Sequence, residues 1–390
     1  MANLQPLRIL FLHPTFTFGG AERTTANLFS RLNKDRFKVT LVASRKIALR
    51  LYSDVVEKII YVEDIGMGIW FDGIKSLWKD IRITGRLLLK EKPDIALGMM
   101  HYSSTILALA KKFFRPNVKV ISSPRGPSTD YLNTCFTKKS ERFFLRMLFL
   151  FFCRYSDGIV VPSAGTGEDC IKNFGAKREN IRVINNSIII DEISEKGKES
   201  INMDIPDGTF VISTSGRLSS EKNIPFLLNA FSELRKTEKV KLLVIGDGPE
   251  RDRLQALASG LGIKNDTTFV GFQENPYKFI RRSDVFVHTC LVEGFGNSII
   301  EAMACGVPVI ATDCPYGPGE IIKNGENGIL VPVNDIEALA KAIHVLLQDE
   351  RRRKELSEKG FSRSLDFSVD RMVRAYEDFF FAVKPGTSNE

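Results

Sequence analysis

The stretch SDVFVHTCLVEGFGNSIIEAMACGVPVIATDCPYGPGEIIKNGENG, Ser283 to Gly328, switches twice between hydrophobic patterns. Val285 to His288 is a continuous apolar run of strand length. A glycine-rich EGFGN turn follows, and Ser298 to Cys305 then has the apolar spacing of a short helix. Gly306 stops that helix, and Val307 to Ala311 form a second apolar run. Strand, helix and strand without a hairpin signal make a parallel unit. Two carboxylates flank the turn: Glu293 in the loop and Glu301 about one turn inside the helix. Between them the helix start offers unpaired N–H groups and the positive end of a dipole, which suits a phosphate. A diphosphate held there leaves Glu301 to accept from ribose hydroxyls and Glu293 from the hydroxyls of a sugar beyond it. The pattern predicts a nucleotide-sugar site.

Working outward, Leu7 to Leu12 is an apolar strand followed by Gly19, Gly20 and a helix, the opening of a doubly wound α/β domain. That turn is neither a GxGxxG nor a GxxxxGK[ST] loop. Further strands are expected at Lys38 to Ala43, Lys58 to Val62, Ile95 to Met99, Lys119 to Ser122, Gly158 to Pro162 and Ile181 to Asn186, separated by helical stretches. Open parallel sheets bind ligands at the carboxyl ends of their strands, which marks His101 and Arg125 as candidate contacts to an acceptor or sugar. Residues 187 to 208 are polar and read as a linker. A second doubly wound domain restarts with FVISTSGRLSSEKN, whose loop carries Arg217 and Lys222. Two fixed cations there answer the charge of a departing diphosphate. His288 lies in an apolar run and reads as a core histidine.

The string EGFGNSIIEAMACGVPVIAT, with GRLSSEKN before it, resembles the donor site of family four retaining glycosyltransferases. The resemblance covers nearly the whole chain and is strongest from Val211 to Val331. It implies the α/β GT-B fold: two doubly wound Rossmann-like domains facing across a cleft. It further implies an acceptor-binding domain at 1–190, a donor-binding domain at 191–365, and a last helix at 366–390 returning to the first domain. The implied reaction moves a hexose or N-acetylhexosamine, from a UDP-sugar by preference, to a glycan or polyprenyl-linked glycan, as in enzymes of lipid-linked oligosaccharide and surface polysaccharide assembly. Arg217, Lys222 and Glu293 are the implied catalytic group. Gly19, Gly20, Phe272, Gly294, Phe295, Gly296, Asn297 and Glu301 are the implied donor contacts, and Thr268 to Phe272, with Asn275, matches a segment whose backbone flanks the nucleobase. Many relatives carry a histidine near Arg125, so arginine is a departure. No cofactor beyond the donor and no metal is expected, since neither a DxD motif nor a His and carboxylate cluster is visible in the matched segments. A nucleotide-sugar epimerase of the same fold, a transferase using a GDP-sugar and a soluble acceptor, and a non-catalytic sensor remain alternatives.

The chain's 390 residues suit two domains, and no apolar run approaches the length needed to cross a bilayer. The apolar start is too short for a signal-peptide core, so a cytoplasmic chain is expected. Six cysteines without paired short spacing read as buried free thiols. Residues 1–190 carry 30 basic against 16 acidic side chains, a net +14, while residues 191–390 carry 25 against 31, a net −6. No nucleic-acid recognition module is present, so the basic half points to an anionic membrane or a phosphorylated lipid. Lys138 to Tyr155 (KKSERFFLRMLFLFFCRY) and Trp70 to Lys79 (WFDGIKSLWK) are the segments expected to meet it, on the cytoplasmic face.

Overall fold

The computed structural model describes residues 5–13, 19–51, 53–68, 74–201, 203 and 205–384, with the side chains of residues 74 and 135 excepted. The chain forms two compact units, one of residues 1–187 with 369–390 and the other of residues 188–368.

In the first unit seven strands follow the apolar runs: β1 (Leu7–His13), β2 (Phe37–Ala43), β3 (Val56–Tyr61), β4 (Ile95–Met99), β5 (Lys119–Ser123), β6 (Gly158–Val161) and β7 (Ile181–Val183). They lie in the order β3-β2-β1-β4-β5-β6-β7. Every pairing is parallel. Strands covered on both faces must be apolar throughout, which is why β4 is buried at all five positions. The last helix, Val369–Val383, packs on the helix Gly20–Arg31, and its Phe380 ring lies 5.8 Å from that of Phe37. Arg36 adds an ion pair to Glu377 at 2.8 Å.

The second unit has β8 (Phe210–Ser215), β9 (Val240–Ile245), β10 (Thr267–Gly271), β11 (Val285–His288), β12 (Val309–Thr312) and β13 (Ile329–Val331). Their order is β10-β9-β8-β11-β12-β13, again with parallel neighbours. In both units the strand order reverses at the first strand, between β1 and β4 and between β8 and β11. At such a reversal the connecting loops leave in opposite directions and a crevice opens at the carboxyl ends.

The segment expected to be a linker is partly helical. Ile190–Gly197 buries Ile193 against the helices Tyr277–Ile280 and Asn297–Ala304. Its high charge masked a single apolar face, which suffices for so short a helix. Asn275 donates through Nδ2 to the Lys196 carbonyl (2.8 Å) and accepts from the Tyr277 amide (3.1 Å). It tethers that helix.

The apolar Lys138 to Tyr155 stretch is the helix Lys139–Tyr155. Leu145, Phe149, Phe152 and Cys153 are buried along one side, while Phe143 (69%) and Met147 (51%) are exposed. Trp78 and Phe113 also form a partly exposed ring pair, 4.9 Å between centroids. Trp70 lies outside the described residues. No described helix is long and apolar enough to cross a membrane. The five cysteines whose side chains are described are buried and unpaired.

Phe149 is fully buried and packs on Phe152 and Phe174, with ring centroids 5.5 and 6.0 Å away. Phe149→Ala is expected to cost about 3–5 kcal/mol, because the surrounding rings cannot close the cavity. Phe143→Ser should stay within about 0.5 kcal/mol of wild type. Calorimetric unfolding of the two variants checks this; equal losses would mean that the helix faces are misassigned.

Candidate active site

Both loops that build the site leave the carboxyl ends of neighbouring strands at the reversal in the second unit. After β8 the chain turns through Gly216 and Arg217 into a short 3-10 turn, Ser220–Lys222. Asn223 then takes a left-handed conformation (φ 48°) and starts the helix Ile224–Leu234. This loop is tied to the one after β11: the Leu291 amide donates to the Glu221 carbonyl at 2.9 Å. Thr289 Oγ1 donates to the Lys222 carbonyl at 3.1 Å. A second lace joins the Leu218 amide to the Asp247 carbonyl at 3.0 Å. Gly246 is required there, since a Cβ would stand 1.9 Å from the Gly216 carbonyl oxygen and its φ is +134°.

These ties place Lys222 Nζ 2.6 Å from Glu293 Oε2. The two side chains retain 23% and 17% exposure. Burial works against the charge on Lys222, but the negative charge beside it prevails and its pKa is raised. Burial likewise opposes the Glu293 carboxylate, but Lys222 outweighs it and holds the pKa well below the ordinary range. Both groups are therefore charged at neutral pH.

Two further groups close on the same carboxylate. Cys290 Sγ donates to Glu293 Oε2 at 3.3 Å, and burial pushes its thiol pKa well up. His288, 3% exposed, places Nε2 3.2 Å from Glu293 Oε2. The angle does not make a hydrogen bond, so Nε2 is buried without a partner, while Nδ1 is 3.1 Å from Ser298 Oγ. Burial lowers the His288 pKa and keeps the ring neutral. The ligand-capable atoms of His288, Cys290 and Glu293 all lie within 4.8 Å of one another. Sequence reasoning read His288 as core and the cysteines as inert. The available signal was the spacing His-x-Cys-x-x-Glu running off a strand end. A small cavity lined by Gly216, Arg217, Lys222, His288 and Cys290 opens beside the cluster.

The other sequence candidates fall out unevenly. Arg217 is exposed, and no described carboxylate pairs with it. The helix Asn297–Ala304 begins at Asn297 after Gly296, whose φ of 110° lets the loop turn into it. Glu301 is enclosed within that helix and already has protein partners. The Gly294 amide turns back to Glu293 Oε1 at 3.2 Å. The Phe295 ring is buried on Phe367, 5.4 Å between centroids, which leaves its backbone as the part of the residue that faces the loop. Phe272 follows β10 and is 61% exposed.

In the first unit the Gly19 amide is consumed by Glu22 Oε2 at 2.8 Å, so it is not a spare donor for phosphate. Gly20 opens the helix after it and is exposed. His101 also departs from expectation. It is 3% exposed, its ring stacks on Tyr131 and on Phe149, and its Nε2 is 3.1 Å from Ser128 Oγ. Burial drives its pKa down to about 3, leaving a neutral structural ring. Among the described residues, Arg125 bonds to neutral oxygens: Asn186 Oδ1, Ser123 Oγ at 3.2 Å and the Tyr376 hydroxyl at 3.5 Å.

Residues 195–363 match the family model described as "Glycosyl transferases group 1", and residues 18–192 match the model "Glycosyltransferase Family 4". The chain belongs to the family four, group 1 glycosyltransferases. It is similar to a Campylobacter jejuni enzyme named N-acetylgalactosamine-N,N'-diacetylbacillosaminyl-diphospho-undecaprenol 4-alpha-N-acetylgalactosaminyltransferase. Identity there is 29% over 281 residues, covering 72% of this chain and 74% of that one. A second Campylobacter jejuni relative, named as an alpha-1,4-N-acetyl-D-galactosaminyltransferase acting on a PP-undecaprenol glycan, is 27% identical over 97% of this chain and 99% of its own. Among solved structures, Anabaena HepE in complex with UDP and glucose aligns with a TM-score of 0.77 at 19% identity, covering 96% of this chain and 100% of that one. A Rickettsia africae glycosyltransferase aligns with a TM-score of 0.78 at 19% identity, covering 99% and 100%. These likenesses give the two parallel-sheet units the GT-B fold.

Removing Lys222 leaves Glu293 partly buried without its cation, at a cost of about 2 kcal/mol for a pair that keeps some exposure. The wild-type Glu293 pKa is depressed, so its stabilisation is complete above the unfolded value of about 4.3 and lost as pH falls through the folded one. In Lys222→Met, burial instead raises the Glu293 pKa. The stability gap between wild type and variant should therefore be widest near about pH 7 and narrow toward about pH 4. Thermal unfolding across that range measures it; a gap independent of pH would contradict the charged pair.

Proposed function

We propose that this glycosyltransferase moves a hexose or N-acetylhexosamine from a UDP-sugar to a polyprenyl-linked glycan, with retention at the anomeric carbon and without a catalytic metal. The observation that carries the reading is the Lys222–Glu293 pair at the carboxyl ends of β8 and β11. Without donor the two charges satisfy each other. A bound diphosphate takes over the Lys222 ammonium, and Glu293 is released to accept from a sugar hydroxyl. Arg217, exposed beside Lys222, adds the second cation for the leaving group.

No residue of the cluster is suited to be a covalent nucleophile, since Glu293 is held by Lys222 and the Cys290 thiol is protonated. Retention then fits a front-face path, in which a donor phosphate oxygen takes the acceptor proton while Lys222 and Arg217 stabilise the departing diphosphate. The N-terminus of the helix Asn297–Ala304 supplies further N–H donors, Glu301 faces the ribose, and the exposed Phe272 ring is available to the uracil face. UDP in the HepE structures and undecaprenyl-linked substrates in the Campylobacter names support the choice of donor and acceptor. Arg125, a cation among neutral partners, suits the acceptor's diphosphate.

Labelled UDP-N-acetylhexosamine and UDP-glucose, offered with a polyprenyl diphosphate glycan, test the reading by product analysis. Arg217→Ala and Lys222→Ala should each lower kcat by about a hundredfold or more, the loss of roughly 3 kcal/mol of transition-state stabilisation. Full activity should persist in excess chelator. Unchanged kcat in both variants, or activity restored only by magnesium or manganese, would overturn it.

We also propose that the enzyme reaches such an acceptor by resting at the cytoplasmic membrane face on the helix Lys139–Tyr155. Phe143 and Met147 stand exposed beside Lys138, Lys139, Arg142 and Arg146, the amphipathic arrangement of an interfacial helix. Each cation near an anionic surface contributes about 1 kcal/mol. Co-sedimentation with anionic liposomes should weaken with salt and fall sharply when Lys138, Lys139 and Arg142 become Ser. Wild type that ignores anionic liposomes at low salt would exclude docking by this helix.

A further inference from the structure

We propose that His288, Cys290 and Glu293 form a binding site for one thiophilic divalent cation of the Zn2+ class, whose occupation displaces Lys222 from Glu293 and blocks sugar transfer. Binding stands on geometry alone; the block rests on the transferase reading above.

Two edges of a coordination tetrahedron already exist. With Zn–N near 2.0–2.1 Å and Zn–S near 2.3 Å, neighbouring ligand atoms of a tetrahedral site lie about 3.3–3.7 Å apart. His288 Nε2 to Glu293 Oε2 is 3.2 Å and Cys290 Sγ to Glu293 Oε2 is 3.3 Å. The third edge falls within 4.8 Å, so a rotamer adjustment closes it. His288 supplies the independent sign of a ligand: Nε2 is buried, makes no hydrogen bond and lies 3.2 Å from Glu293 Oε2. Its ring is fixed from behind by Ser298 Oγ at Nδ1, the outer-shell contact that orients metal-binding histidines. The adjoining cavity, about 10 Å³ and lined by His288 and Cys290, is of the size of one water, the fourth ligand. A nitrogen, a sulfur and one carboxylate oxygen select zinc, cobalt or cadmium over magnesium, which asks for oxygen ligands in an octahedron.

The charges show why occupation excludes Lys222. Binding is M2+ plus the Cys290 thiol giving a metal–thiolate bond and one proton released to solvent, because coordination deprotonates the thiol outright. Metal, thiolate and the Glu293 carboxylate then sum to zero. The Lys222 ammonium, 2.6 Å from the same oxygen, loses its counter-ion and meets a dication instead. It must leave, and with it goes the cation that receives the diphosphate.

The test uses the full chain, stripped with chelator and titrated with Co2+ in the absence of any nucleotide. One equivalent should bring in thiolate-to-cobalt charge transfer and four-coordinate visible bands, which Zn2+ erases and Mg2+ does not. Cys290→Ser should abolish the charge transfer. His288→Gln should weaken binding by about a hundredfold, at least the loss seen when a supporting contact is removed. Lys222→Met, which takes away the competing cation, should bind more tightly than wild type. Circular dichroism and thermal unfolding establish that each variant is folded. In a donor-turnover assay Zn2+ should inhibit wild type, and each variant is compared with its own metal-free rate. Absence of the charge-transfer band in wild type overturns the site, as does the same band in Cys290→Ser. The band without sugar transfer would leave the site standing and remove the transferase reading; transfer without the band would do the reverse.

Discussion

The ion pair between Lys222 and Glu293 is the constraint around which the second unit is arranged. Its partners are 71 residues apart in the chain, so only the fold brings them together. Taking either charge out of water alone is unfavourable, and pairing offsets that loss without turning it into a large stabilisation. What the pair provides is position. It holds an ammonium and a carboxylate at fixed points in a partly dry crevice, ready to be separated by something that satisfies both. The laces from Leu291 to Glu221, Thr289 to Lys222 and Leu218 to Asp247 supply the rigidity that such an arrangement requires.

The sheet explains why the pair sits where it does. β8 and β11 are adjacent and parallel, so their carboxyl ends rise side by side and their following loops must diverge. The first unit repeats the same reversal at β1 and β4, yet its candidate residues are arranged differently. There Glu22 turns back on Gly19, His101 is enclosed by aromatic rings, and Arg125 is left among neutral oxygens. One architecture thus yields a charged crevice in one unit and, among the described residues, a more self-satisfied rim that includes Arg125 in the other.

These differences mark the boundary of what the sequence discloses. The strands and their parallel arrangement were legible, because a sheet covered on both faces demands uninterrupted apolar runs. That Arg217, Lys222 and Glu293 lie in loops after strands, and Glu301 inside a short helix, was legible from spacing. His101 was misplaced for a local reason: Met100 turns at φ 72° and the helix Met100–Phe114 starts with no loop, carrying His101 inward. Spacing reveals that a residue follows a strand, not which way the next helix turns. The helix Ile190–Gly197 was hidden by its charge, and the Phe295 ring by its glycine neighbours. The convergence of His288 and Cys290 on Glu293 needed the rotamers of three side chains and could not be read from composition.

Glu293 is therefore a shared acceptor in a crowded place. Its Oε2 faces the Lys222 ammonium at 2.6 Å, the Cys290 thiol at 3.3 Å and the His288 nitrogen at 3.2 Å. At neutral pH the ammonium dominates, because the thiol is too weakly acidic and the buried imidazole too reluctant to charge. A ligand that draws the ammonium away exposes the carboxylate to a new hydrogen-bond donor, and a sugar hydroxyl meets that need without bringing charge. A thiophilic cation meets it by recruiting the thiol and the imidazole as well. On the two proposals made above, the one carboxylate serves two incompatible occupants, and Lys222 decides between them by where its charge is most needed.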